Sequence, residues 1–313
     1  MDKIALIGTG LVGFGWGIVF ASAGRNPVFY DADPAAIPKA LHEFDDSLAA
    51  LRRYGLIDEE PAAIRARVSI ANSLEEALDG ANYVQESIPE RAELKRALFE
   101  QLDMMVPRDI ILASSTSTIP ISSFTDHLAG RERCIVAHPG TPPHLLKLVE
   151  IVPAPWTSAD TVERTRKLME ACGQIPSVLK KEIQGFILNR LQYAVISEAY
   201  RLWEDGVASI EDIDKTVRDA LGLRWSFMGP METISLNAPG GVPDYDERYG
   251  HIVLAVNSSQ HARPWDKDAV RRLEEERLRS RPITDIASRR AWRDRRLMAL
   301  LAHKRQMALT EGD

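Results

Sequence analysis

Cysteine is nearly missing: Cys134 and Cys172 are the only two in 313 residues, and they stand in no metal-ligating or redox spacing. That excludes a disulfide-built secreted scaffold and fits a reducing compartment. No run of about 18 apolar residues occurs, so no membrane-spanning helix is expected. Positive charge is also short. The chain has 39 Lys and Arg against 45 Asp and Glu, and the formal net charge of −6 argues against non-specific binding to nucleic acid or an anionic membrane surface. Internal repeats and low-complexity tracts are absent. Met1-Asp2-Lys3 leads straight into an apolar strand pattern and leaves no room for a signal peptide, so a cytoplasmic protein is expected. What is present is ordinary globular material, 45% hydrophobic and 27% charged, at a length suited to two domains.

Up to about residue 183, short apolar runs alternate with helical stretches. Ile4–Ile7, Val28–Tyr30, Tyr83-Val84, Ile110–Leu112, Cys134–Val136 and Leu148–Val152 read as strands. Strands apolar on both faces, with helices between them, indicate a mostly parallel sheet covered on both sides. Ser73-Leu74-Glu75-Glu76 has the form of a capping box, and Gly24 and Gly173 stand where helices end in a left-handed residue. Beyond Gly185 the strand signal fades. A helix is expected over Phe186–Asp205, ending at Gly206; another opens at Ser209 and ends near Gly222. The rest is helical, with an interruption at Ala238–Pro243. The expected division is therefore 1–184 and 185–313. The arginines from Arg271 to Arg305 are interleaved with Glu and Asp, as on a solvated helix face.

Gly8-Thr9-Gly10-Leu11-Val12-Gly13 follows the first strand directly and opens a helix. In that setting Gly8 permits a tight turn, Gly10 lets the backbone approach a pyrophosphate, and Gly13 allows close helix–strand packing. Exposed amides at the helix start attract phosphate. The second strand ends in Asp31, eighteen positions after Gly13. A carboxylate there accepts hydrogen bonds from the adenosine ribose and repels a 2′-phosphate. No Arg or Lys follows until Lys39, so NAD is favoured over NADP. The first domain is thus expected to be a Rossmann-type, doubly wound α/β unit, followed by an all-helical one. Gly15 and Gly17 weaken the same helix, and tight packing beneath the cofactor is the expected reason.

Ligands of open parallel sheets collect at the carboxyl ends of the strands. There lie the hydroxyl tract Ser114–Thr118, His138 at a strand end, and Glu150 inside the next strand. A glutamate flanked by Leu148, Val149, Ile151 and Val152 is expensive to bury without a partner. His138 is a reasonable one, because Pro139, Gly140, Pro142 and Pro143 let the chain turn back. Such a pair suits alcohol oxidation: the imidazole takes the hydroxyl proton and the carboxylate fixes its tautomer. Read from the residues alone, a structural strand-end histidine and an ordinary polar loop remain open. No metal site is expected.

The chain resembles the L-3-hydroxyacyl-CoA dehydrogenase superfamily, and within it the lambda-crystallin/L-gulonate 3-dehydrogenase branch. The resemblance rests on Ile7–Gly10, Gln85–Glu90, Ser114–Ser117, His138-Pro139 with Glu150 twelve positions after the His, Gly185–Ala194, Ser197–Ala199, Met228–Thr233 and Arg289–Asp294. It implies that His138 is the base and Glu150 its orienting partner, and that Ser117 and Asn189 hydrogen-bond the substrate oxygen. It implies that Asp31, Glu90 and Lys95 contact NAD beside Leu11 and Val12, that the active site lies in the interdomain cleft, and that a homodimer forms through the helical domain. One position departs. Thr141 stands three residues after the histidine, where relatives usually carry Asn, which bears on cofactor affinity and substrate choice.

Acyl-CoA members need cations for nucleotide phosphates. Between Lys39 and Arg53, Lys39, Arg52 and Arg53 are cancelled by Glu43, Asp45 and Asp46, which leans toward a free acid. Arg224 is a candidate for binding its carboxylate, with a surface ion pair or dimer contact as the alternative. The stretch Gly222–Gly229 also resembles L-carnitine 3-dehydrogenases; Trp225 and Phe227 could wall a trimethylammonium group, though such aromatics are more often core. Three functions are therefore expected in order: a free 3-hydroxy acid dehydrogenase with L-gulonate-like sugar acids first and carnitine next, a short-chain 3-hydroxyacyl-CoA dehydrogenase, and an NAD-binding structural protein of crystallin type.

Overall fold

Strands apolar on both faces need cover on both, and that requirement organises the first part of the chain. The computed structural model describes residues 2–280, Pro282 and 285–311. Met1, Arg281 of the arginine-rich segment, Ile283, Thr284 and the last two residues lie outside the described residues. The strands are β1 (Lys3–Ile7), β2 (Asn26–Tyr30), β3 (Ser69–Ile70), β4 (Tyr83–Glu86), β5 (Ile111–Ser114), β6 (Cys134–Pro139), β7 (Leu148–Pro153) and β8 (Ile175–Val178). They form one sheet of order β3-β2-β1-β4-β5-β6-β7-β8. Neighbours run parallel throughout except β6 and β7, which are antiparallel and place His138 opposite Glu150.

The helices interleaved with these strands are α1 (Leu11–Ser22), α2 (Ala36–Arg53), α3 (Pro61–Arg65), α4 (Leu74–Leu78), α5 (Ala92–Met105), α6 (Ser122–Thr125) and α7 (Ala159–Ala171). Side-chain alternation divides the inner strands between two cores. Ile4 and Leu6 join Trp16, Phe20, Phe29 and Phe44 on the face covered by α1 and α2. Ala5 and Ile7 join Val84, Phe99, Leu102 and Phe124 on the other. Fully burying each such ring is worth roughly 1.5–3 kcal/mol. Ser73 caps α4 by accepting from the Glu76 amide at 3.2 Å, while the Glu76 carboxylate reaches back to the Asn72 amide at 2.7 Å.

Two strands escape the sequence pattern because both lie at sheet edges. β3 has only two residues, both exposed, and β8 contains Pro176, a residue tolerated at an edge.

The chain then continues as α8 (Leu188–Glu204), α9 (Ile210–Thr216), α10 (Gly222–Trp225), α11 (Pro230–Leu236), α12 (Gly241–Ser259), α13 (Lys267–Ser280) and α14 (Ile286–Thr310). Gly222 does not end a helix, contrary to expectation. It has right-handed backbone (φ −62°) and closes a π turn over Val217–Leu221 by donating to the Val217 carbonyl. A Cβ there would stand 3.0 Å from that oxygen, so glycine permits the wide turn and the helix runs on to Trp225.

Two compact units result. The first holds the chain up to Arg190 together with Trp292–Thr310; the second holds Leu191–Ala291. Residues after 184 join the first unit because Phe186 is buried in its core. The C-terminal helix returns to it through Met298, packed in the cluster of Phe44, Leu48 and Leu51, and through Arg305, which donates to the Gly55 carbonyl at 2.8 Å. In the second unit the Glu276 carboxylate ties α13 to α8 and α9, accepting from Trp203 Nε1 at 2.8 Å and the Ile210 amide at 3.0 Å.

Candidate active site

The turn between β1 and α1 has room only for glycine at two of its three key positions. Gly8 has φ +95°, and a Cβ on it would lie 2.6 Å from the Ser87 carbonyl oxygen. A Cβ on Gly13 would lie 1.9 Å from the Gly8 carbonyl oxygen. Gly10 is different: a Cβ there would meet nothing within 4 Å. Gly10 is the N-cap of α1, no side chain caps that end, and its first turn carries no acidic residue. The first amides, at Leu11 and Val12, therefore face outward as donors beside a space that a Cβ would narrow. These features fit the diphosphate of a dinucleotide. Asp31 shapes the same turn: its Oδ2 accepts from the Thr9 amide at 2.7 Å and the Thr9 hydroxyl at 2.9 Å. Gly15 and Gly17 do admit close packing, but against protein: Cβ atoms there would collide with Pro143 and with the Phe29 ring.

His138 and Glu150 meet across the antiparallel β6–β7 pair, with Nδ1 and Oε2 2.8 Å apart. Both are buried. The other carboxylate oxygen accepts from the amides of Ile187 (2.7 Å) and Leu188 (2.9 Å), at the start of α8. Gly185 (φ +76°) and Phe186 (φ +51°) make the turn that aims those amides. The left-handed conformation of Phe186 is unusual for a side chain of that size. Its ring is fully buried, with its centroid 5.6 Å from that of His138. Burial would raise the Glu150 carboxyl, but the His138 bond and the two amides outweigh it and hold it below the ordinary range. An ionised carboxylate only accepts, so Nδ1 carries the hydrogen and Nε2 is the nitrogen with a free lone pair.

The ends of β4 and β5 build the opposite wall. Glu86 is fully buried, accepting from Lys95 Nζ at 2.8 Å, the Ile88 amide at 2.7 Å and the Ser114 hydroxyl. Burial pushes its carboxyl up, against the pull of Lys95 and these donors. Glu90 Oε1 accepts from the Thr116 hydroxyl at 2.7 Å and the amides of Ser117 (2.8 Å) and Thr118 (3.1 Å), while Oε2 lies 3.3 Å from Lys95 Nζ. Burial opposes its ionisation, yet these bonds and Lys95 hold it below the ordinary range. Lys95, 1% exposed, is thus held by two carboxylates of its own chain. Asn189 Nδ2 donates to the Ser117 carbonyl at 2.7 Å.

A cavity of about 230 Å³ opens here, lined by Val12, Ser87, Ile88, Glu90, Lys95, Ser115, Ser117, His138, Pro139 and Thr141. Val12, Glu90, Lys95, Ser117 and His138 are thereby gathered at one site. Glu150 and Asn189 stand just behind it, bonded to His138 and to Ser117. Arg224 lies exposed in α10 of the second unit, and Trp225 and Phe227 are exposed rather than core. Residue-by-residue reading gave no role to Glu86, Gln85, Ser87 or Phe186, and named Ser115 only within the hydroxyl tract. The signal for the first three was there: polar residues ending an otherwise apolar strand beside β1.

Models of known families match both parts of the chain. The NAD binding domain of 3-hydroxyacyl-CoA dehydrogenase matches residues 3–183, and the C-terminal domain of the same enzymes matches 185–277. Lambda-crystallin of Oryctolagus cuniculus is 40% identical over 309 residues, covering 97% of each chain. L-carnitine dehydrogenase of Streptomyces coelicolor is 34% identical over 292 residues, covering 92% of this chain and 91% of that one. Among solved structures, 5-formyl-3-hydroxy-2-methylpyridine 4-carboxylic acid 5-dehydrogenase, described as an NAD+-dependent dismutase, superposes with a TM-score of 0.83 at 27% identity, covering all of both chains.

Proposed function

The chain belongs to the 3-hydroxyacyl-CoA dehydrogenase family and is an NAD-dependent dehydrogenase; from that premise we propose that it oxidises the 3-hydroxyl of a small free 3-hydroxy acid, L-gulonate-like sugar acids first, with His138 as the base. One observation carries the reading. His138, held from behind by Glu150, lines a cavity shared with Val12 of the glycine turn, so the base stands beside the cofactor's binding loop. Glu150 holds Nδ1–H, and Nε2 takes the proton of the substrate hydroxyl as its carbon gives up hydride. NAD, when bound, supplies the hydride acceptor. Glu150 then stabilises the imidazolium it faces. Ser117 and Asn189 serve the substrate oxygen, Asn189 by holding the Ser117 loop and Ser117 by its hydroxyl.

The preference for a free acid over a CoA ester is supported by α2. Its cations have neighbours already: Lys39 lies 3.9 Å from Glu43, Arg52 pairs with Glu60 at 2.8 Å, and Arg53 lies over the Tyr54 ring. With Glu43, Asp45 and Asp46 on the same helix, α2 presents no net positive charge to a phosphate. Arg224 is the proposed partner of the substrate carboxylate. Carnitine is the second reading, favoured by the exposed Trp225 and Phe227, which suit a trimethylammonium group. NADH absorbance over a panel of gulonate, 3-hydroxybutyrate, carnitine and 3-hydroxybutyryl-CoA tests this: a free acid should be turned over best, and preference for the CoA ester would overturn it. A homodimer through the second unit is proposed as well, supported by the exposed Leu223, Phe227, Met231, Leu236 and Leu254. Light scattering giving twice the 34.9 kDa chain mass would support it, and the chain mass itself would refute it.

A further inference from the structure

Beneath the cavity runs a chain of hydrogen bonds whose direction the chemistry of its members imposes. Gln85 Nε2 lies 2.7 Å from Ser115 Oγ and 3.3 Å from the Ala137 carbonyl oxygen. A carbonyl oxygen only accepts, so the Gln85 atom facing it is the nitrogen, and Gln85 donates to Ser115. At its other end Gln85 Oε1 accepts from the Tyr83 hydroxyl at 2.9 Å, and burial keeps that phenol protonated. Trp16 Nε1, which can only donate, lies 3.0 Å from the same Ser115 Oγ. Ser115 therefore accepts twice, and its single hydrogen goes to Ser87 Oγ at 2.9 Å. Ser87 is then an acceptor toward Ser115, and its own hydrogen must point elsewhere. Ser87 lines the cavity with His138 and Thr141.

We propose that Ser87 is a ligand-positioning residue, a hydroxyl whose hydrogen the Gln85–Ser115–Trp16 network turns into the cavity to hold a carbonyl or carboxylate oxygen of what binds there. An isolated serine could spend its hydrogen on a protein neighbour; here Ser115 takes one lone pair and leaves the Ser87 hydrogen free for the cavity. The inference rests on the dehydrogenase reading of the cavity, and two sources could supply the acceptor: the carboxamide of the nicotinamide, or the substrate.

The test is Ser87→Ala, with NADH and ADP-ribose titrated by fluorescence or calorimetry and the substrate KM measured at saturating NAD. If the carboxamide is held, the Kd for NADH rises about three- to tenfold, the worth of one neutral hydrogen bond, and that for ADP-ribose, which lacks the nicotinamide, stays put. If the substrate is held, both Kd values stay put and KM rises by a similar factor. Unchanged NADH affinity together with unchanged KM would overturn the proposal, as would a parallel loss of ADP-ribose affinity, which would mean that the glycine turn itself had been disturbed. A wild-type protein that binds neither nucleotide would sink the cofactor reading instead, so the two failures are distinguishable.

Discussion

Replacing Glu150 by glutamine changes one atom and tests the site's central geometry. The carboxylate serves two masters that both donate: His138 Nδ1 on Oε2, and the Ile187 and Leu188 amides on Oε1. A glutamine side chain offers one acceptor and one donor. If its oxygen faced His138, its NH2 would meet two backbone N–H groups and leave them buried and unpaired, at about 1–3 kcal/mol each. The oxygen therefore stays on the amides and the NH2 turns to His138. Nδ1 must then accept, the imidazole hydrogen moves to Nε2, and the nitrogen facing the cavity can no longer take a proton. A misplaced tautomer of this kind in a serine protease lowers turnover about 10⁴-fold, and general-base catalysis is worth roughly 10²–10⁴. Glu150→Gln should accordingly lower kcat by about 10³–10⁴, or roughly 4–5.5 kcal/mol at 1.36 kcal/mol per tenfold.

The assay is NADH formation with the best acid of the substrate panel, beside NADH binding by fluorescence. Binding should stay within a few-fold, since Glu150 touches no residue of the glycine turn. Stability supplies a second reading. The folded Glu150 carboxyl lies below its ordinary value of 4.5, so its stabilising contribution is complete above that pH and is lost as pH falls through the lower folded value. The glutamine variant lacks that contribution, and its stability should fall less steeply in acid. Turnover within threefold of wild type, with folding intact, would refute the tautomer argument outright.

Other expectations follow from the same contacts. Gly10→Ala should leave the melting temperature unchanged while weakening NADH at least tenfold, because its Cβ enters open space; Gly13→Ala, with its Cβ 1.9 Å from the Gly8 carbonyl, should lose both. Equal effects on NADH binding and stability at Gly10 would mean that no phosphate lies there. Lys95→Met strands the fully buried Glu86 and should destabilise by about 3–5 kcal/mol at neutral pH. That deficit should shrink in acid, because a carboxyl whose folded pKa is raised is stabilised as pH falls through it; a thermal melt showing no loss at pH 7 would contradict it. Asp31 should make NAD the better substrate than NADP by at least a hundredfold in kcat/KM, and equal use of the two would show that its carboxylate does not face the ribose.

How far the sequence reached depended on the range of the signal. The glycine turn, Asp31 and the doubly wound pattern are local, carried by spacing along one strand–turn–helix segment, and they were legible. The His138–Glu150 contact was legible because a short proline-rich connection links their two strands. The Glu86–Lys95 pair was not, since nothing in a strand residue and a helix residue nine positions later says that they bury together. Ser115 looked like one more hydroxyl in a polar loop; the arrival of Gln85 and of Trp16, 99 positions away, gives it a direction. The edge strands β3 and β8 were missed because an edge needs no apolar run, and the π turn because its hydrogen bonding leaves no mark in composition.

The polar groups of the first unit sort by whether the protein satisfies them itself. Both Glu150 oxygens are taken, Glu90 and Glu86 are taken, and Lys95 is shared between them, so these groups find their partners within the protein before any ligand arrives. Asn189 binds the Ser117 carbonyl, which links the start of α8 to the hydroxyl loop, and Glu90 ties that loop to Lys95. The groups turned to the cavity form a short set: His138 Nε2, the Ser87 and Ser117 hydroxyls, and the outward amides at the start of α1. That set asks for an anion at the helix start, an oxygen ligand at the hydroxyls and a proton to be taken at the imidazole. A phosphate-bearing cofactor laid against an alcohol meets all three demands, and neither ligand alone does, which is why the site's internal bonding argues for a two-substrate oxidation rather than for simple storage of a nucleotide.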